Sequence, residues 1–252
     1  MQPTTPAAGD PVFDPTVEAH HTRIDADAYE DIYVVGDVHG CLRELEALVD
    51  TIGADGETLF VFVGDLIRKG PDSSGVLDYV REHENMVTVR GNNEQKLVEG
   101  RADCADITDG DRAYIESLPV AVSWDDALVV HGGIDPRMPL VEHSVEDLLT
   151  MRLLAPDAEH QNPYWFDHHR APPRVFFGHT VLEEPFESRW AVGLDTGCVY
   201  GGELSAYHYD SGAFVTLEAQ RTYEYRDPEK FISPRQTATS REMATGGVNR
   251  RP

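Results

Sequence analysis

Apolar positions along this chain fall into two rhythms, short unbroken runs and helical repeats, and in the first half they alternate. The run "DIYVVGDVHG" (31–40) is β-branched and closes on Gly and Asp, which predicts a strand. "CLRELEALVDTIG" (41–53) then spaces Leu42, Leu45, Leu48, Val49 and Ile52 as one face of a helix, with Gly53 as the stop. "TLFVFVGD" predicts a buried strand, and "DSSGVLDYVREH" a helix capped by Asp or Ser. "MVTVRG" and "NEQKLVEG" repeat the strand–helix pair, and "DRAYIESL" adds a helix. Strands follow at "VAVSW" and "ALVVHGG", a small helix at "VEDLLTMRL", and an irregular aromatic stretch at "NPYWFDHHRAPP". The later runs "RVFFGH", "WAVGLD", "ELSAYHY" and "AFVTLE" are all strands. Strand–helix alternation followed by strands predicts an α/β layered domain over residues 31–228. Residues 1–30 carry little periodicity and read as a loose arm. Residues 229–252 are polar, with Pro, Gly, Ser and Arg, and read as a disordered tail.

Composition narrows the class. No run of about 18 apolar residues occurs, so no membrane-spanning helix is expected. The first fifteen residues lack the basic and apolar regions of a signal peptide. Cys41, Cys104 and Cys198 are too few and too scattered for a disulfide framework, which fits small thiols in a reducing cytoplasm. The net charge is −24, which argues against a nucleic-acid backbone as partner. Only three of the 21 basic residues are lysines (Lys69, Lys96 and Lys230). Such a surface fits a salt-adapted cytoplasm, where the Debye length shrinks to about 3 Å at 1 M and self-repulsion is screened.

The polar residues that interrupt the apolar runs carry the chemistry. Asp37 and His39 follow the first strand, Asp65 the second and Asn92 the third, while His131 and His179 end two later ones. In open α/β sheets the crevice beyond the strand carboxyl ends is the usual ligand site. A single His or Asp there is readily a satisfied core residue; six at successive strand ends point to one shared site. Three imidazoles, two carboxylates and an amide oxygen suit divalent transition metals. Asp37 and His39 can reach one ion from one loop, Asn92, His131 and His179 can hold a second, and Asp65 can bridge two ions about 3.5–4 Å apart. Two dications against two aspartates leave positive charge to attract a phosphate and activate water.

The segments "GDVHG", "GDLIRKGPDS", "RGNNE", "HGG", "GHT" and "DTGCVYGG", in this order, resemble the phosphoprotein-phosphatase type of calcineurin-like metallophosphoesterase. That group includes Ser/Thr protein phosphatases and diadenosine tetraphosphate hydrolases, and its short prokaryotic members look most similar. The resemblance spans residues 31–209. It implies two mixed β-sheets flanked by helices, with Asp37, His39 and Asp65 on one ion and Asp65, Asn92, His131 and His179 on the other. It further implies manganese, with iron or zinc as alternatives, and a phosphorylated protein or nucleotide substrate.

Two departures from the family pattern coincide. The family motif Gly-Asn-His-Glu supplies a histidine that protonates the leaving group; here that position is Asn93, and an amide cannot deliver a proton at neutral pH. The Asp that orients that histidine is replaced by Arg68, and the phosphate-gripping Arg by Lys69. Asn93 and Arg68 are therefore the candidate catalytic departures, and Lys69 and Arg68 the candidate phosphate-binding cations. Loss of the acid favours anhydride or aryl leaving groups over a serine alkoxide. It also leaves open a non-catalytic phosphate-binding homologue. His168, His169, Arg170, Arg174 and Tyr200 are secondary candidates for the acid, for phosphate contact and for shaping the pocket.

Overall fold

A computed structural model of the protein describes residues 11–53, 56–155 and 163–233. Among the described residues, eleven strands form two mixed sheets. The first sheet contains β2 (Asp31–Val35), β3 (Thr58–Phe62), β4 (Met86–Thr88), β10 (Glu203–His208) and β11 (Phe214–Glu218), in the order β11-β10-β2-β3-β4. Strands β2, β3 and β4 run parallel, while β10 is antiparallel to β2 and to β11. The second contains β1 (His21–Arg23), β5 (Ala121–Trp124), β6 (Ala127–Val129), β7 (Arg174–Phe177), β8 (Phe186–Glu187) and β9 (Ala191–Gly193), in the order β1-β5-β6-β7-β9-β8. Here β6, β7 and β9 run parallel to one another, and β1 runs parallel to β5.

The central strands are apolar on both faces because both faces are covered. Val34, Val61, Val129, Phe176 and Val192 pack between the sheets. The alternate residues Val35, Phe60 and Phe62 face outward and pack with Leu45 and Leu48 of α2 (Leu42–Ile52) and Val76, Leu77 and Val80 of α3 (Ser73–Glu82). On the far side, Leu128, Val175 and Phe177 meet Val17 of α1 (Pro15–Glu18), Leu148 of α6 (Val145–Thr150), Trp165 and Phe166. Between them in the chain come α4 (Asn92–Val98) and α5 (Asp109–Ser117). This is the expected α/β sandwich of two mixed sheets with flanking helices.

Both ends of the chain depart from the expected boundaries. The stretch read as a loose arm is docked from residue 11 onward: Phe13 and Val17 are buried, and β1 pairs in parallel with β5. A three-residue polar strand leaves no periodic signal, and its ladder bonds come from a partner a hundred residues away. At the other end, Ile232 forms a bridge with Leu182, its N–H donating to the Val181 carbonyl at 2.9 Å. Residues 229–233, read as the start of a disordered tail, are therefore placed against the domain, and residues 234–252 lie outside the described part.

Candidate metal centre

The parallel strands of both sheets point their carboxyl ends at one rim. Asp37 follows β2, Asp65 follows β3, Asn92 follows β4, His131 follows β6 and His179 follows β7. The close approach is steric as well as topological. A Cβ on Gly178 would lie 1.9 Å from Asp37 Oδ1, and one on Gly91 would lie 2.2 Å from Asp65 Oδ1, so only glycine lets these loops meet. Strain concentrates here too. Six described non-glycine residues have positive φ, and five of them are His39, Asp65, Arg68, Lys69 and His179. Backbone held in this sparse region clusters where function over-determines it.

Asp65 is the hub. Its Oδ2 lies 3.5 Å from His39 Nε2 and its Oδ1 3.4 Å from His131 Nε2. Asp37 Oδ2 is 3.9 Å from His39 Nε2, and both Asp37 oxygens face the His179 backbone N–H at 3.3 Å. The His131 and His179 rings are 5.0 Å apart. Ligand atoms of Asp37, His39 and Asp65 all fall within 4.8 Å of one another. Asn92 joins the group indirectly, its Oδ1 accepting from Asn93 Nδ2 at 3.1 Å.

Two imidazoles are oriented in the same way. Nδ1 of His39 donates to the Ile67 carbonyl at 3.0 Å and Nδ1 of His131 to the Val63 carbonyl at 2.8 Å, so each turns Nε2 into the cluster. Such a backbone bond fixes ring and tautomer for metal ligation. The fit to cations is further visible in what the side chains lack. His131 Nε2 is buried without a hydrogen-bond partner, its neighbour Asp65 being near but not aligned for one. His39 Nε2 presents its lone pair to Lys69 Nζ at 2.7 Å, the lone pair a divalent ion would use.

The electrostatics agree. Burial, then the Lys69 ammonium, pushes His39 down to about 3; burial, then His131 and Arg152, pushes His179 down to about 2. Both rings are therefore neutral at pH 7. Burial acts downward on His131 as well, but the Asp65 carboxylate outweighs it and lifts His131 to about 9. Burial works upward on Asp65, and the His131 partner overrides it to hold the carboxyl well below its usual range. Asp37 is raised well above the carboxylate range by burial and then by Asp195, which burial raises in turn. Carboxylates crowded and dehydrated in this way are a donor set short of cations.

The other sequence candidates separate. Lys69 sits at the centre, 5.3 Å over the Tyr200 ring. Arg68 turns to Asn93, donating from Nη1 to Asn93 Oδ1 at 2.6 Å. Arg174 is at the start of β7, opposite the rim, and pairs with Glu187 at 2.7 Å. Arg170 bonds the Asp167 and His169 carbonyls, and His169 is buried with Nε2 on the Pro173 carbonyl at 2.8 Å. Three residues of the site escaped the sequence reading. Arg152, just after α6, is exposed and donates to the His179 carbonyl at 2.7 Å, which sets a guanidinium at the rim. Asp195, buried after β9, had a signal in "DTG". Glu94 accepts from the N–H groups of Asp65, Ile67 and Gly91 at 3.0, 3.1 and 2.8 Å and so supports two rim loops.

Residues 31–206 match the calcineurin-like phosphoesterase family. The chain belongs to this family. It is a metallophosphoesterase of the phosphoprotein-phosphatase type, a family that works with divalent metal ions, and the residues at its rim suit them. This phosphoesterase is 28% identical to the asymmetrical bis(5'-nucleosyl)-tetraphosphatase PrpE of Anoxybacillus flavithermus, over 75% of its own length and 95% of the relative's. It is also 28% identical to the serine/threonine-protein phosphatase 1 of Salmonella typhimurium, over 75% and 96% of the two chains. A solved structure provisionally assigned as a diadenosine tetraphosphatase superposes with a TM-score of 0.73 at 28% identity, covering 80% of this phosphoesterase and 99% of that chain.

Proposed function

We propose that this phosphoesterase hydrolyses phosphorylated substrates at a two-metal centre held by Asp37, His39, Asp65, Asn92, His131 and His179. Its preference is for leaving groups that depart without a proton. Manganese is the proposed metal, because the donors are nitrogen and oxygen with no thiolate among them. Bound in pairs, such ions supply the positive charge that binds phosphate and activates water. The protein's own residues do the rest. His39 and His131 are held by backbone carbonyls with Nε2 inward. Lys69 and the exposed fork of Arg152 provide cations for non-bridging phosphate oxygens.

The observation that carries the substrate preference is Asn93. The amide stands where the family motif has its acid, and its atoms are engaged by Arg68 and Asp65. General acid catalysis contributes roughly 10²–10⁴-fold where the leaving group needs it. A phenoxide leaves with a pKa of about 10, and a terminal phosphate with one of about 6. Aryl esters and phosphoanhydrides therefore fit better than phosphoserine. Two readings share this chemistry, a dinucleoside polyphosphate hydrolase, as in the PrpE relative, and a phosphoprotein phosphatase acting on aryl phosphate. The test is a plot of log kcat/KM against leaving-group pKa, run on protein stripped by chelator and reloaded with manganese. A steep negative slope, with anhydrides and aryl esters far ahead of alkyl esters, is expected. A flat line with chemistry rate-limiting means another residue donates the proton, and no turnover on any substrate means a binding homologue.

A further inference from the structure

We propose that Arg68 and Asn93 act together as a positioning device for the ligands of one ion, in place of both a proton donor and a phosphate clamp. The orientation of the Asn93 amide follows from its neighbours alone. A guanidinium can only donate, so the atom facing Arg68 Nη1 at 2.6 Å is the amide oxygen. The amide NH₂ must then point the other way, and there it meets two acceptors, Asp65 Oδ2 and Asn92 Oδ1, the latter at 3.1 Å. The Asn93 backbone N–H donates to the remaining carboxylate oxygen, Asp65 Oδ1, at 2.8 Å. One residue thus grips both oxygens of the bridging candidate and the oxygen of the adjacent amide candidate. An imidazole offers one hydrogen per nitrogen and cannot serve both acceptors from one atom.

Arg68 is itself fixed. Its left-handed backbone (φ 69°) is held by its N–H donating to Ser73 Oγ at 2.9 Å, and Asn93 is buried. A flipped Asn93 amide would set NH₂ against guanidinium and oxygen against carboxylate, so Arg68 locks the amide in the ligand-orienting state. The coincident loss of acid and orienting Asp then reads as one exchange: a proton-delivering pair has become a ligand-orienting pair. Partners of this kind are worth about 10–100-fold in metal affinity.

This inference rests on the two-metal reading of the same site, and the experiment separates the two. Manganese affinity and stoichiometry of the full chain are measured by equilibrium dialysis with elemental analysis, alongside KM for para-nitrophenyl phosphate. Arg68→Met is expected to weaken binding of the second manganese about 10–100-fold. Arg68→Lys, which keeps a donor, is expected to restore most of it. Asn93→Leu should lose as much as Arg68→Met, and the double variant no more than either, because the pair acts as a unit. Asn93→Leu and Arg68→Lys keep the inference testable should Arg68→Met fail to fold. Second-ion affinity within threefold of the unmodified protein, with KM raised tenfold or more, overturns the inference and makes Arg68 a phosphate clamp. An unmodified protein that binds no manganese overturns the two-metal reading itself.

Discussion

At position 131 an imidazole faces the Asp65 carboxylate at 3.4 Å, and a metal ion held by both would have to displace any proton on the ring. Asp65 lifts His131 to about 9, which favours the protonated ring at neutral pH. Asp37 is raised as well, by burial and Asp195. A ligand must shed its proton to bind, so both groups act in the same direction. His39 and His179, already neutral, add nothing to this dependence. Manganese affinity is expected to climb as pH rises from 7 toward 9, by up to about tenfold per unit for each proton displaced. Metal addition in weak buffer should release at least one proton per molecule. Affinity constant over that range, with no proton released, contradicts the His131–Asp65 pairing. The neighbouring position 93 teaches a complementary lesson: an amide cannot deliver a proton, but its two hydrogens can hold two oxygens still.

At the scale of elements, the rim depends on how α4 begins. The helix has no side chain at its cap position, Gly91, and Glu94 fills the role from inside the first turn. Its carboxylate accepts from Gly91 N–H within the helix and from Asp65 and Ile67 N–H on the loop after β3. One side chain thus ties two strand ends together. Truncation by Glu94→Ala strands three buried donors at about 1–3 kcal/mol each. A destabilisation of at least about 3 kcal/mol is expected, with loss of metal retention, whereas Glu94→Gln keeps an acceptor and should cost less. Urea unfolding of the three proteins measures this. A loss under about 1 kcal/mol for the alanine variant would mean that water replaces the carboxylate.

At the scale of the whole molecule, net −24 with three lysines describes a surface that repels itself. Among the described residues several of the ion pairs are local: Arg81 with Asp78, Arg101 with Glu99 and Arg137 with Asp135, each two or three residues apart in sequence and at least partly exposed. Pairs of this kind contribute little net stability, so they do not offset the repulsion. We propose adaptation to concentrated salt in a cytoplasmic setting. The melting temperature is expected to rise steeply from low salt to molar potassium chloride, as the screening length falls toward about 3 Å. A flat or falling profile rules the proposal out. Among the described residues no helix is long and apolar enough to cross a membrane.

Much of this was legible in the sequence because it is periodic or local. Strands β2, β3, β6, β7, β9 and β10 announce themselves as apolar runs, α2 and α3 by spacing and caps, and Asp37, His39, Asp65, Asn92, His131 and His179 by standing just beyond strand ends beside glycine. These signals are short-range, since a buried strand needs an apolar run and a tight rim needs glycine whatever the rest of the chain does. What the tertiary structure decided is the set of contacts between distant segments. Strand β1 exists only because β5 offers it a ladder a hundred residues away. Arg152 reaches the site only because the chain after α6 comes within hydrogen-bond reach of the His179 carbonyl, and Glu94 serves Asp65 only because β3 and β4 are neighbours in one sheet. The partner of Arg68 was equally out of reach. A string of residues presents an extra cation beside a lost acid, but only the fold turns that cation toward Asn93, because pairing across 25 residues is set by sheet register and loop conformation rather than by any pattern along the chain.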